Sequence, residues 1–311
     1  MLHGWPSPRH EDRLKRMEAH TYSRVAVLLD GTQTSEVILQ FVPSLVCSAG
    51  FQHVALARVL EDTASRAAVG TYLRERAERL RHEWPAGLCA MPQVEVEAVP
   101  IRGNDVPRTA GAYVAEKRVD ALMLSTLGWS GPDWWSAGSA DEHIIKESRV
   151  PVFVFRIVGG RRPRPGIVRR ALVTLDGSAL AEEAVPFAER LAKTAGASLH
   201  LLHVAEDGGR QSHPHGAAPF AGGAGQRAEV YLKAVAARLH AKGATVSTSV
   251  RRGKPGPQIA EAVQADGADL VIICSHGHTG RGGGAFGGVA DRVLHSCHVP
   301  VLVIPASHPE G

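Results

Sequence analysis

The chain repeats itself at half its length. Ser125-Thr126-Leu127-Gly128, nine residues, then Gly138-Ser139 returns as Cys274-Ser275-His276-Gly277, nine residues, then Gly287-Gly288, 149 positions later in a chain of 311. Upstream, Val27-Leu28-Leu29-Asp30-Gly31-Thr32 returns as Val173-Thr174-Leu175-Asp176-Gly177-Ser178 after 146 positions. Each copy runs on into a Val-Pro-Val segment, at Val150 and at Val299. A duplication on this scale restricts the chain to two copies of one fold, each long enough to bury its own core.

Hydrophobic patterning orders each copy in the same way. In the first, apolar runs predict strands at 24–29, 53–60, 93–101, 120–125 and 150–155, and helical spacing fills 34–49, 65–84, 106–117 and 140–147. The second copy predicts strands at 170–175, 197–204, 245–250, 269–274 and 299–304, with helices at 179–195, 226–242, 257–265 and 289–296. Strands alternating with helices call for parallel crossovers, so the expected class is α/β, with two tandem doubly wound five-stranded parallel sheets. The boundaries read as an arm at 1–22, a first domain at 23–158, a Gly-, Arg- and Pro-rich linker at 159–167 and a second domain at 168–306. The second copy also inserts Asp207 to Gly225, rich in Gly, His and Pro, read as a mobile loop.

Bulk properties narrow the setting. No apolar run approaches the ~18 residues of a membrane span, and no apolar stretch follows the polar first residues as a secretory signal requires. The four cysteines, Cys47, Cys89, Cys274 and Cys297, lie far apart in such a chain and read as reduced thiols, which places the protein in the cytoplasm. The net charge of +4 is concentrated between residues 159 and 170, in Arg161, Arg162, Arg164, Arg169 and Arg170. Without an aromatic or a motif beside them they read as a solvated linker, and nucleic acid is disfavoured as a partner.

The repeated motif carries the chemistry. The loop from Gly277 to Gly287 follows an apolar strand and precedes a helix, where the ligands of open α/β sheets bind. Glycines there let backbone N–H groups approach an anion, and the helix dipole favours phosphate. Ser139 adds a hydroxyl at this place in the first copy, whereas the second has Gly288. Asp30 and Asp176 end the first strand of each copy; each either caps the next helix or accepts hydrogen bonds from a base or ribose. Several alternatives drop out. There is no Gly-x4-Gly-Lys-Ser/Thr and no Gly-x-Ser-x-Gly, and Gly282-x-Gly284-x-x-Gly287 stands in the wrong place for a dinucleotide fingerprint. His276, His278, His295, His298 and Cys297 crowd together in sequence without a ligand pair at zinc spacing.

These residues resemble the universal stress protein family, over nearly the whole chain, as a tandem two-domain member. The resemblance rests on Gly-x2-Gly-x9-Gly-Ser/Thr, the strand-ending Asp and the terminal Val-Pro-Val strand. It implies a Rossmann-like sheet of the adenine nucleotide α-hydrolase type, strand order 3-2-1-4-5, binding ATP or ADP with Mg2+ as a candidate companion. In the family the loop holds phosphates, the Asp reads the adenine and the end of the second strand flanks it. Carried over, that implicates Asp30, Val59, Gly128, Gly138 and Ser139 in the first copy, and Asp176, Val204, Gly277 and Gly287 in the second. Ser125 and Cys274 replace the first Gly, Gly288 replaces the final hydroxyl, and Arg281 stands in the loop either as a phosphate contact or as an exposed cation. Within the first loop, Asp133 and the pair Trp134-Trp135 depart from the pattern.

The resemblance further implies that the two domains pair through Pro151–Phe155 and Pro300–Ile304, leaving room for homo-oligomers beyond that. With no positioned catalytic constellation, the expected role is a nucleotide-binding regulatory module rather than an enzyme. The alternatives are a structural stress protein with degenerate sites and an adenine-nucleotide-dependent enzyme.

Overall fold

The computed structural model describes residues 12, 14, 15, 17, 20, 22–60, 66–100, 105–128, 140–158, 165–206, 224–276 and 287–306. The first repeat comprises β1 (Arg24–Leu28), α1 (Gln33–Glu36), a 3-10 turn (Val37–Gln40), α2 (Val42–Ala49), β2 (His53–Leu60), α3 (Arg66–His82), β3 (Gln93–Pro100), α4 (Val106–Glu116), β4 (Ala121–Gly128), α5 (Ala140–Ser148) and β5 (Val152–Val158). The second comprises β6 (Arg170–Thr174), α6 (Ala179–Glu182), α7 (Val185–Ala195), β7 (Ser198–Ala205), α8 (Ala224–Ala241), β8 (Val246–Arg252), α9 (Pro255–Asp266), β9 (Leu270–Cys274), α10 (Gly288–Ser296) and β10 (Val301–Ile304).

The helices expected at 34–49 and 179–195 each divide in two. Pro43 and Pro186 stand in the first turn of α2 and α7. A proline lacks the N–H that would continue the ladder, and its ring presses on the carbonyl four residues back, here Leu39 and Glu182. A short helix and a turned second helix result, in both repeats.

All ten strands join one sheet, in the order β3-β2-β1-β4-β5-β10-β9-β6-β7-β8. Each half reads 3-2-1-4-5, and every pairing is parallel except β5 with β10. There Val301 lies opposite Val154, Leu302 opposite Phe153 and Val303 opposite Val152, so the last strands pair as the sequence led us to expect. Their apolar side chains need covering on both faces. One face packs under α2, α3, α7 and α8, the other under α4, α5, α9 and α10, and both cores run across the junction. Phe187 of α7 meets Phe153 and Tyr22 edge-on at centroid distances of 5.8 and 5.1 Å. Arg190 donates to the carbonyls of Tyr22 and Ala49, each at 2.7 Å, sewing α7 to the first repeat.

The cysteine expectation is corrected. Cys47 of α2 and Cys89, in the loop before β3, form a disulfide across 42 residues, with 5.8 Å between their Cα atoms. Sequence spacing says nothing of this, because α2 and that loop meet only when β3 docks beside β2. Cys274 and Cys297 remain free thiols, and both are buried. No helix among the described residues is long and apolar enough to cross a membrane. Most of the linker and nearly all of the Asp207–Gly225 insertion lie outside the described residues.

Candidate functional site

At the carboxyl edge of the second repeat a cleft opens between the ends of β6, β7 and β9. Asp176, Val204, Cys274, Gly287 and Gly288, all singled out from sequence, line it together. Strand alternation sets who faces in: Leu202 and Val204 look toward α9 and α10, while His203 looks to the opposite face. Pro255 and Ile259 of α9 and Ile273 of β9 complete an apolar wall. Sequence reading passed over these residues, although the apolar face of α9 was the signal that could have found them. Ser275, quoted from sequence only as part of the repeat, and His276, weighed there only as a metal ligand, are buried in the same cleft.

The helix start is arranged for an anion. Gly287 is the N-cap of α10 and supplies no side-chain cap, so among the described residues no side chain caps the helix's leading N–H groups. Its own N–H donates to the Ser275 carbonyl at 2.7 Å, which folds the loop back onto the end of β9. A Cβ at Gly287 would stand 3.4 Å from that carbonyl oxygen, so the turn accepts one carbon and little more. Ser275 is structural: its hydroxyl accepts from the Ala306 N–H at 2.8 Å and holds the chain leaving β10.

The two strand-ending aspartates do not cap their helices. Thr32 and Ser178, two residues on, accept from the N–H groups of Ser35 and Ala181, each at 3.1 Å. The aspartates instead brace the turn: Asp176 accepts from the Ser178 N–H at 2.9 Å, and Asp30 from the Thr32 N–H and hydroxyl at 2.8 and 2.7 Å. Partial burial works to raise the Asp30 carboxyl, but hydrogen bonding from Ser35 and Thr32 outweighs it and holds the carboxyl below its ordinary value.

Site-forming positions of the two repeats diverge at one neighbour. Arg58 of β2 reaches over Gly31, where a Cβ would collide with its guanidinium. The corresponding residue of β7 is His203, and no described residue lies within 4 Å of a Cβ at Gly177. Among the described residues the first turn of the second repeat is uncovered, and that of the first is covered by a cation. Asp30, Val59, Ser125 and Gly128 do stand at the carboxyl ends of β1, β2 and β4. The Ser125 hydroxyl there donates to the Thr34 carbonyl at 3.3 Å. Gly138, Ser139, Gly277 and Arg281 lie outside the described residues, as do Asp133, Trp134 and Trp135.

Cys274 forms part of the cleft floor. Burial pushes its thiol up to about 12, so at neutral pH it is a small apolar wall rather than a thiolate. Of the crowded histidines, His295 bonds through Nδ1 to the Asp291 carbonyl at 2.6 Å, and among the described residues no group of three ligands gathers around a common point.

Residues 168–305 match the universal stress protein family. Over those residues the second repeat is similar to that family. A universal stress protein of Methanocaldococcus jannaschii is 28% identical over 148 residues, covering 44% of this chain and 82% of the relative. A crystal structure of a universal stress protein from Archaeoglobus fulgidus superposes with a TM-score of 0.62 at 20% identity, over 92% of this chain and 99% of that one. A Pseudomonas aeruginosa protein of unknown function does so at 0.60 and 17%, over 94% and 95%. At these identities the two structures establish a shared fold across both repeats. The cleft described above lies wholly within the matched universal stress protein domain.

Proposed function

We propose that the chain is a stress-response protein that binds an adenine nucleotide, ATP or ADP, in the cleft of its second repeat, and acts as a regulatory binding module with little or no catalysis. The observation that carries this is the meeting of Asp176, the apolar wall of Leu202, Val204 and Ile259, and the uncapped start of α10 around one opening. The residues fit the ligand. The wall suits the flat apolar base, Asp176 suits hydrogen-bond donors of base or ribose, and the N–H groups at Gly288 and Val289 suit phosphate. Mg2+ would accompany the phosphates. Phosphate charge at this helix start would be stabilised by the dipole and by the leading N–H groups. The chain's own groups hold and orient; the thiol is neutral and the Ser275 hydroxyl is engaged with the backbone.

Calorimetric titration of the nucleotide-free full chain with Mg-ATP tests the reading. The native chain and Asp30→Ala bind alike, Asp176→Ala binds about tenfold more weakly through loss of a charge-assisted hydrogen bond, and Gly287→Val does not bind. Absence of binding by the native chain would leave the structural reading with degenerate sites. Steady release of inorganic phosphate at enzyme-like rates would favour the catalytic one.

A further inference from the structure

Among the described residues only two other than glycine adopt left-handed backbone, Arg118 at φ 51° and Arg149 at φ 54°. Both line one groove of about 640 Å³ at the amino-terminal edge of the first repeat's sheet. Leu122 of β4 pairs with Val152 of β5, so the two arginines stand at the entrances of neighbouring strands, after α4 and α5. The groove is mainly apolar, with Val114, Val119 and Val150 from the first repeat. Ile304 and Pro305 arrive from the second, because β10 runs antiparallel to β5.

Left-handed backbone costs a side-chain-bearing residue energy that glycine avoids. The second repeat shows what the turn itself requires. Its counterpart of Arg118, 149 positions on, is Gly267 at φ 60°, with no described residue within 4 Å of a Cβ. Arginine at 118 is therefore retained against the local preference, and such outliers collect at sites where the side chain is used. Neither guanidinium has a hydrogen bond or ion pair with a described residue. The single carboxylate among the described residues lining the groove, Asp120, is already engaged: it accepts from the N–H groups of Ser23 and Arg24, each at 2.7 Å, and lies 2.7 Å from His20 Nε2. An apolar space of this size between two domains, with a few oriented polar groups, has the form of a small-molecule site. Two arginine forks at one edge match a carboxylate.

We propose that this groove binds an apolar carboxylate, a medium-chain aliphatic acid whose head group is held by Arg118 and Arg149 and whose chain lies along the apolar floor. The site is separate from the nucleotide cleft and does not depend on it. The test is calorimetric titration of the full chain with octanoate, and with octan-1-ol as the uncharged probe of equal length. The expected result is saturable binding of one octanoate per chain, at least tenfold tighter than octanol, and at least tenfold weaker in the double variant R118G/R149G. Glycine removes the guanidinium and relaxes the backbone at once, so circular dichroism of the variant should match the native chain. Were the variant to lose its fold, the octanoate-to-octanol ratio on the native chain still decides. No saturable octanoate binding, equal affinity for octanol, or undiminished binding by a folded double variant would each overturn the proposal.

Discussion

Burial sets the chemistry of single residues here more than sequence identity does. Cys274 and Cys297 carry ordinary thiols, yet burial lifts each from 9.0 to about 12, with the Arg156 charge only partly opposing this at Cys297. Ellman's reagent should therefore leave both unmodified in the native chain and titrate both after denaturation; rapid labelling of native Cys274 would show an open thiolate instead. Tyr22 and Tyr72 behave alike, both pushed from 10.0 to about 12 chiefly by burial. A folded pKa above the unfolded one means the folded state holds its proton longer. The associated stability is complete below pH 9 for the thiols and pH 10 for the phenols, and drains away as pH rises toward 12. The melting temperature should hold steady up to about pH 9 and fall beyond it, with tyrosinate absorbance rising only as unfolding proceeds. A melting temperature at pH 11 equal to that at pH 8 contradicts this account.

Elements are shaped by where neighbours allow close approach. Helices α4 and α5 meet at Gly111, where a Cβ would stand 2.9 Å from the Glu147 carbonyl oxygen. Backbone cannot swing aside as a side-chain tip can, so Gly111→Ala should destabilise the chain by roughly 1–3 kcal/mol as overpacking does. Urea unfolding would measure it, and an unchanged midpoint would mean the helices slide apart freely. The disulfide acts on the same scale. It ties α2 to the loop before β3 and closes a 42-residue segment. The chain-entropy estimate for such a loop is about 4 kcal/mol. Dithiothreitol, or Cys89→Ser, should lower the thermal midpoint accordingly; equal midpoints with and without reductant would mean the pair contributes nothing.

The whole molecule hangs on the β5–β10 seam. Leu302 and Phe153 face each other across it, both fully buried, and the two cores continue through it on either side. The repeats should therefore melt as one unit. Leu302→Asp would bury an unpaired charge at the seam, at a cost of roughly 3 kcal/mol or more. Differential scanning calorimetry should show the single native transition lowered and split in two. A variant that keeps one transition at the native temperature would show that the seam carries little of the stability. The same seam brings the end of β10 against the first repeat, which creates the groove of Arg118 and Arg149.

The sequence alone settled the class of fold, because strand and helix periodicities and the half-length repeat are local or self-referential signals. It placed β5 against β10 and named five of the residues that line the cleft at the strand ends. It merged α1 with α2 and α6 with α7, where one proline in each outweighed an unbroken apolar spacing. It read Cys47 and Cys89 as unpaired, since a contact 42 residues apart exists only once β3 has docked. That Gly31 and not Gly177 is covered, among the described residues, was decided by tertiary structure, through an arginine arriving from the neighbouring strand. So were the apolar wall from α9 and the groove between repeats. Patterning reports the conformation of a segment and the face it buries; which side chains from distant segments converge on one space depends on how the layers pack.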